Sequence, residues 1–257
     1  LIDGFCPAMN QKTKCIYFQA KHNGYDVDDL VVVTDGGNGQ LEGRLHCQVK
    51  HRITISENDK TFQEVIEAAW SDFKKDGFNI ARDRIALATS QMAVQSIQAL
   101  RFLNDQASHS TDEKDFFERI RQSRFTNQTT RSVLSTIKNC IQRENDGEVT
   151  DLELWEFCKI FVLLLFDLDY AYSINRILTE SLIKCNSDFG ADQVWSSLVS
   201  YAGECNQNAA TINCENIQDK IRALFKGKAR GELERQEQIF LRPVAEIDTF
   251  ISTLALI

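Results

Sequence analysis

The run Asp28-Asp29-Leu30-Val31-Val32-Val33, the turn Thr34-Asp35-Gly36-Gly37-Asn38-Gly39, and the run Arg44-Leu45-His46-Cys47-Gln48-Val49-Lys50-His51 decide how this chain starts to fold. The first is β-branched and opens on two acids. The middle is Gly/Asn-rich, and both residue types tolerate the positive φ of a tight reversal. In the last, Leu45, Cys47 and Val49 alternate with Arg44, His46, Gln48 and Lys50, the period of a strand. Together they predict a hairpin. With the turn centred near Asn38-Gly39, Asp29 falls opposite Gln48, where cross-strand Cβ atoms lie about 5 Å apart. Lys50 shares the face of Gln48, with His46 and Arg44 behind them. A one-residue slip puts Asp28 in the place of Asp29, so both acids remain candidates.

The residue types suggest a chemistry. An Asp carboxylate and a Gln carbonyl are hard oxygen donors of the kind Mg²⁺ prefers, with Mn²⁺ as a substitute. Such an ion polarises a phosphate and lowers the pKa of a bound water. Lys50 beside it would position that water and stabilise charge on the non-bridging oxygens. His46 and His51, with Arg44 and Arg52, are candidate phosphate contacts. The same Gln/Lys pattern also suits the solvated face of an ordinary antiparallel sheet. Other chemistries find less support. The histidines (22, 46, 51 and 109) form no His-x-x-x-His pair, the eight cysteines form no Cys-x-x-Cys, and no Gly-x-Ser-x-Gly occurs.

Working outward, Ile16-Tyr17-Phe18 is a further short β-prone run. Residues 58–75 place Phe62, Val65, Ile66, Ala69, Trp70 and Phe73 at helical spacing behind Asn58 or Asp59 as N-cap. Arg84 to Thr89 predicts a buried strand, completing a mixed sheet. From about 91 onward the pattern predicts helices: 93–103, 113–121, 130–144, a capping-box helix from Thr150 to Phe166, 172–185, 192–205 and 215–224. Thr211-Ile212-Asn213 is a weak strand signal of a winged-helix-like unit. The apolar run Ile160 to Phe166 falls well short of the roughly 20 residues of a membrane span, and is expected to be a buried helix.

The net charge of −8 advertises no global field for nucleic acid, which argues against a passive DNA coat. Unpaired cysteine spacing and the lack of a signal peptide predict a reduced, cytoplasmic protein. A start at Leu1 without Met, and an end at Leu256-Ile257, reads as a piece of a longer protein.

Tyr25-Asp26-Val27-Asp28-Asp29-Leu30-Val31-Val32 followed by Cys47-Gln48-Val49-Lys50-His51 resembles a known family. It is similar to the double-stranded-DNA endonuclease domain of bacterial antiphage systems, found in cyclic-oligonucleotide-based defence effectors and at the N-terminus of antiviral STAND NTPases. That domain belongs to the D…QxK branch of the restriction-endonuclease-like superfamily, and the resemblance spans about residues 1–95. It implies that Asp29 or Asp28, with Gln48, holds the metal, and that Asp29, Gln48 and Lys50 are catalytic. Members often carry a further acid upstream. Here that place is Gln19, so a full metal set would draw on Glu64 or on residues outside the chain. Residues 115–125 and 154–169 also resemble the helical segment after that nuclease; the P-loop motif Gly-x-x-x-x-Gly-Lys-Ser/Thr of the ATPase that follows it is absent.

The expectation is thus an α/β, restriction-endonuclease-like mixed sheet at 1–92, an all-α connector or regulatory domain at 93–225, and a linker at 226–257. The implied protein is a Mg²⁺-dependent endonuclease effector of antiviral defence, acting on double-stranded DNA when clustered as a homo-oligomer, with no membrane partner. The rivals are an inactive DNA-binding module and a helical interaction scaffold.

Overall fold

The computed structural model describes residues 6–226 except 7, 10, 28, 37–40, 146–147 and 171. Asp28, the turn at Asn38-Gly39 and the linker from residue 227 onward therefore lie outside the described residues.

The predicted first unit forms as a meander, a helix and a strand. It comprises β1 (Lys12–Phe18), β2 (Leu30–Asp35), β3 (Gly43–Arg52), α1 (Lys60–Phe73) and β4 (Arg84–Gln91). Asp59 caps α1, accepting from the Phe62 N–H at 3.0 Å. In the β2–β3 pair Leu30 faces Cys47 and Thr34 faces Gly43. β4 then runs parallel to β3, with His46 beside Ile85 and Lys50 beside Thr89. The return through α1 is what a parallel neighbour requires.

The remainder holds α2 (Val94–His109), α3 (Glu113–Arg121), α4 (Gln128–Asn145), α5 (Asp151–Ile160), β5 (Phe161–Leu165), α6 (Ile174–Asn186), α7 (Ala191–Gln207), β6 (Thr211–Asn213) and α8 (Asp219–Arg222). The capping box is present: the Thr150 hydroxyl accepts from the Glu153 N–H at 3.2 Å, and the Glu153 carboxylate accepts from the Thr150 N–H at 3.0 Å. Two expectations are corrected. The run Ile160–Phe166 is not helical throughout, because α5 stops at Ile160 and β5 follows as a parallel neighbour of β4. Asn104 meets the change by donating its amide to the carbonyls of Cys158, Lys159 and Phe161 at 3.0–3.2 Å, satisfying acceptors that the ended helix leaves open. A run apolar on all sides carries no period, so helix and buried strand look alike in sequence. Residues 211–213 do form a strand, but it pairs with β1 in the main sheet instead of building a winged unit.

The sheet order is therefore β5-β4-β3-β2-β1-β6, with both edges drawn from the part expected to be all-helical. The fold is α/β with a mixed six-stranded sheet, and the boundary at 92/93 does not separate a sheet from a helical body. The helices α1 to α5 pack on one face in a continuous core that includes Phe62, Trp70, Leu103, Ile137, Phe157 and Phe161. A smaller cluster, Cys6, Val32, Leu45, Cys47, Ala86 and Ala88, lies on the other face. A third, around Tyr201, Cys205, Ile212 and Ile221, holds α7, β6 and α8. Cys15, Cys47, Cys140, Cys158, Cys185 and Cys205 are free thiols. Among the described residues no helix is long and apolar enough to cross a membrane.

Phe157 joins the two expected parts. Its ring lies 5.5 Å from Trp70 and 5.3 Å, stacked, from Phe161, and it is fully buried. Phe157→Ala is expected to cost about 3–5 kcal/mol by opening a cavity. Chemical denaturation of the variant should still give one transition monitored by near- and far-UV signals alike. Two separated transitions would show that residues 12–92 and the following helices are independent cores.

Candidate functional site

The site rests on a buried carboxylate that sequence reading did not single out. Asp72, near the end of α1, is fully buried. Its Oδ1 accepts from the Asp26 N–H at 2.8 Å and from the Lys75 ammonium at 2.6 Å. Its Oδ2 accepts from the Val27 N–H at 3.0 Å and from His46 Nδ1 at 2.9 Å. A carboxylate only accepts, so Nδ1 carries the imidazole proton. The ring is clasped edge-on by Tyr25 and Phe78, at 5.0 and 5.6 Å between centroids. Burial pushes the Asp72 carboxyl up, but the bonds from His46, the Asp26 backbone and Lys75 outweigh it and hold the group below its usual range. One side chain thereby ties α1 to β3 and to the loop that enters β2. A signal existed in the sequence: Asp72 sits at the edge of the apolar arc of α1, between Trp70 and Phe73.

That loop delivers Asp29. Continuing the β2–β3 register by one residue sets Asp29 opposite Gln48. Its Oδ2 accepts three donors: the Gln48 amide at 2.8 Å, the Val49 backbone N–H at 2.7 Å and the Lys50 ammonium at 3.4 Å. Asp29 and Lys50 side chains are each about one-quarter exposed, whereas Gln48 is buried. On its other side the Asp29 carbonyl accepts from the Gln19 N–H at 3.1 Å. The three residues thus converge at the start of β2 and the end of β3, open to water on one side.

The other candidates divide. Arg52 is exposed and lies two residues beyond Lys50 on the same strand face, roughly 7 Å along it. His51 is exposed on the opposite face, its Nδ1 2.8 Å from the Ser90 hydroxyl and 3.5 Å from Asp169. His46 is buried against Asp72, so it offers no surface contact to a phosphate. Arg44 stands at the far end of β3, about 20 Å from Lys50 by strand rise, with its backbone N–H donating to Asp83. Gln19 turns its amide to Asn206 at 2.9 Å, and Glu64 is an exposed residue of α1.

Asp29 and the Gln48 carbonyl are hard oxygen donors of the kind Mg²⁺ takes. Such an ion keeps several waters and uses one or two carboxylates together with substrate phosphate. Asp29 supplies one carboxylate, and the Gln48 carbonyl becomes a ligand if its amide turns from the Asp29 oxygen. Among the described residues no group of three or more His, Cys, Asp or Glu side chains gathers in metal-binding geometry. Buried thiols offer no rival nucleophile here. Burial pushes Cys6, Cys47 and Cys158 up to about 12, so they stay protonated.

Comparison with protein-family models, with curated proteins and with solved structures finds no match for this chain.

Acids with depressed folded pKa values include Asp72, and Glu153, drawn down to about 2 by Lys74 and Thr150. Their stabilisation is fully present above the unfolded carboxylate range near pH 4 and is lost as pH falls through the folded values. Denaturant midpoints should therefore hold from pH 7 to about 5 and drop between about 4 and 2. Asp72→Asn should cost about 3–5 kcal/mol at neutral pH by stranding Lys75 and His46, and should flatten that acid limb. An Asp72→Asn protein with the wild-type midpoint at pH 7 would contradict the network.

Proposed function

We propose that this protein hydrolyses phosphodiester bonds of double-stranded DNA with Mg²⁺ at Asp29, Gln48 and Lys50. The supporting observation is the convergence of the Gln48 amide, the Val49 N–H and the Lys50 ammonium on a single oxygen of Asp29. An acid at the start of one strand and Gln-x-Lys on its neighbour is the arrangement that the resemblance to restriction-endonuclease-like defence nucleases implies.

In this reading Asp29 and Gln48 hold the cation, and Mn²⁺ can replace it. When bound, the ion polarises the scissile phosphate and acidifies a water. Lys50 is already held as a cation beside Asp29, so little reorganisation is needed to meet charge developing on phosphate oxygens. The Asp29 pairing keeps that ammonium on the site face until a more negative phosphate competes for it. Arg52 extends the positive rim along the face of the strand, where a DNA backbone passes Lys50. A single carboxylate holds the ion weakly, which suits an effector that acts only when copies cluster on DNA.

A second reading, a DNA-binding module without cleavage, is favoured by one observation. Among the described residues no group of three or more His, Cys, Asp or Glu side chains stands in metal-binding geometry.

Plasmid incubated with the protein and Mg²⁺ should be nicked, and EDTA should abolish the reaction. Lys50→Ala should slow it by about 10²–10³-fold, the usual cost of losing one preorganised transition-state donor, with the fold unchanged by circular dichroism. Equal nicking by both proteins removes the assignment. DNA retention in EDTA with no cleavage under Mg²⁺ or Mn²⁺ selects the binding module.

A further inference from the structure

Asp29 is held by its carboxylate on one side and by its own backbone on the other, and the backbone contact comes from Gln19. Strands β1 and β2 pair as far as Phe18 opposite Leu30. The Gln19 N–H, donating at 3.1 Å to the Asp29 carbonyl, adds one further rung. The carboxylate does the same on the other flank. The β2–β3 register ends with Leu30 opposite Cys47, and the Val49 N–H beyond it donates to Asp29 Oδ2 at 2.7 Å. One residue thus closes both ladders of β2, with its carbonyl toward β1 and its carboxylate toward β3. Whatever holds the carbonyl sets where the carboxylate can lie.

Gln19 reaches that carbonyl in an uncommon conformation. At φ 49° and ψ 53° its backbone is left-handed, a region that residues with a Cβ seldom enter and β-branched residues all but avoid. The turn lets the chain leave β1 after that one rung and pass into a short 3₁₀ helix, Ala20–Asn23, whose first residue is fully buried. Contacts on every side keep the turn in place. The Gln19 amide donates to Asn206 Oδ1 of α7 at 2.9 Å, and the Gln19 carbonyl accepts from His22 Nδ1 at 2.8 Å. The preceding Phe18 N–H donates to the Ala210 carbonyl at 2.9 Å. The end of β1 is therefore docked on the end of α7 through two consecutive residues.

We propose that Gln19 is the positioning residue for Asp29: its left-handed backbone, held by Asn206, aims the N–H that keeps the Asp29 carboxylate against Gln48 and Lys50. The proposal rests on the reading of Asp29 as the carboxylate of the site. The Gln19 side chain turns away from the site toward α7, so its part is conformational. That sets an order among substitutions. Glycine enters the left-handed region freely and keeps the N–H aimed even without the Asn206 bond. Alanine also lacks that bond and is disfavoured there by its Cβ. Valine is disfavoured most of all.

The test is amide hydrogen exchange at Val49 in the full chain, without DNA or metal, because that N–H loses its acceptor when the Asp29 carboxylate moves. Gln19→Gly should exchange within about threefold of the wild type. Gln19→Ala should exchange about fivefold or more faster than Gln19→Gly, the lower end of what a left-handed Cβ converts to. Gln19→Val should be faster still, and the Trp70 amide in α1 should be unchanged in all three. In plasmid nicking, the Mg²⁺ concentration giving half the maximal rate should rise in the same order. Equal Val49 exchange in Gln19→Gly and Gln19→Ala, or wild-type exchange in a folded Gln19→Val, would overturn the proposal. The glycine and alanine variants decide it where valine prevents folding. Ordered exchange in a protein that nicks no DNA keeps Gln19 as the residue that places Asp29 and removes the nuclease reading instead.

Discussion

The buried charge of Asp72 sets the terms for the rest of the structure. A carboxylate removed from water is tolerable only when it is paired and hydrogen-bonded, and here four donors from three parts of the chain meet it. Each donor brings its own segment: the loop at Asp26-Val27, strand β3 through His46, and the end of α1 through Lys75. The constraint is geometric as well as energetic. Because the loop is pinned at 26–27, the chain enters β2 at a fixed point, and Asp29 arrives opposite Gln48 instead of one residue to either side.

The sheet then gathers polar ends at one edge. β3 has an antiparallel neighbour in β2 and a parallel neighbour in β4. Antiparallel pairing places the start of β2 beside the end of β3; parallel pairing adds the ends of β4 and β5. Asp29, Gln48, Lys50 and Arg52 thus share an edge with Gln91 and, across a 2.9 Å bond from Gln91, with Tyr170.

The hairpin register was legible because three local cues agreed: alternation in 44–50, β-branching in 30–33 and a Gly/Asn turn between them. The arc of α1 and the Thr150–Glu153 capping box were legible for the same reason, since caps and periods are local. β5 was not, because Phe161–Leu165 is apolar on both faces and its strand character comes from β4 beside it and from Asn104 below the end of α5. The placement of His46 and Arg44 was hidden by the same limit. Alternation told which face of β3 they share with Lys50, but only tertiary packing tells that α1 buries one and that strand length carries the other away. Asp72 left a faint mark, an acid at the edge of an apolar arc, whose meaning depended on donors 26 to 46 residues away in the chain.

A sheet whose two edge strands both come from the later part of the chain also limits how such a site can be controlled. A hinge at residue 92 would have to part β4 from β5 and pull Phe157 away from Trp70, exposing the most densely aromatic part of the interior. The lightly built region lies on the opposite flank, where α7, α8 and the three-residue β6 share a small cluster of their own. That flank reaches the site through Gln19. This residue holds a left-handed conformation with φ 49°, which is uncommon without a glycine. Its backbone N–H holds the Asp29 carbonyl, and its side chain holds Asn206 of α7. A shift of α7 is thus two hydrogen bonds from the residue at the centre of the site, while the path through the main core requires breaking the core itself.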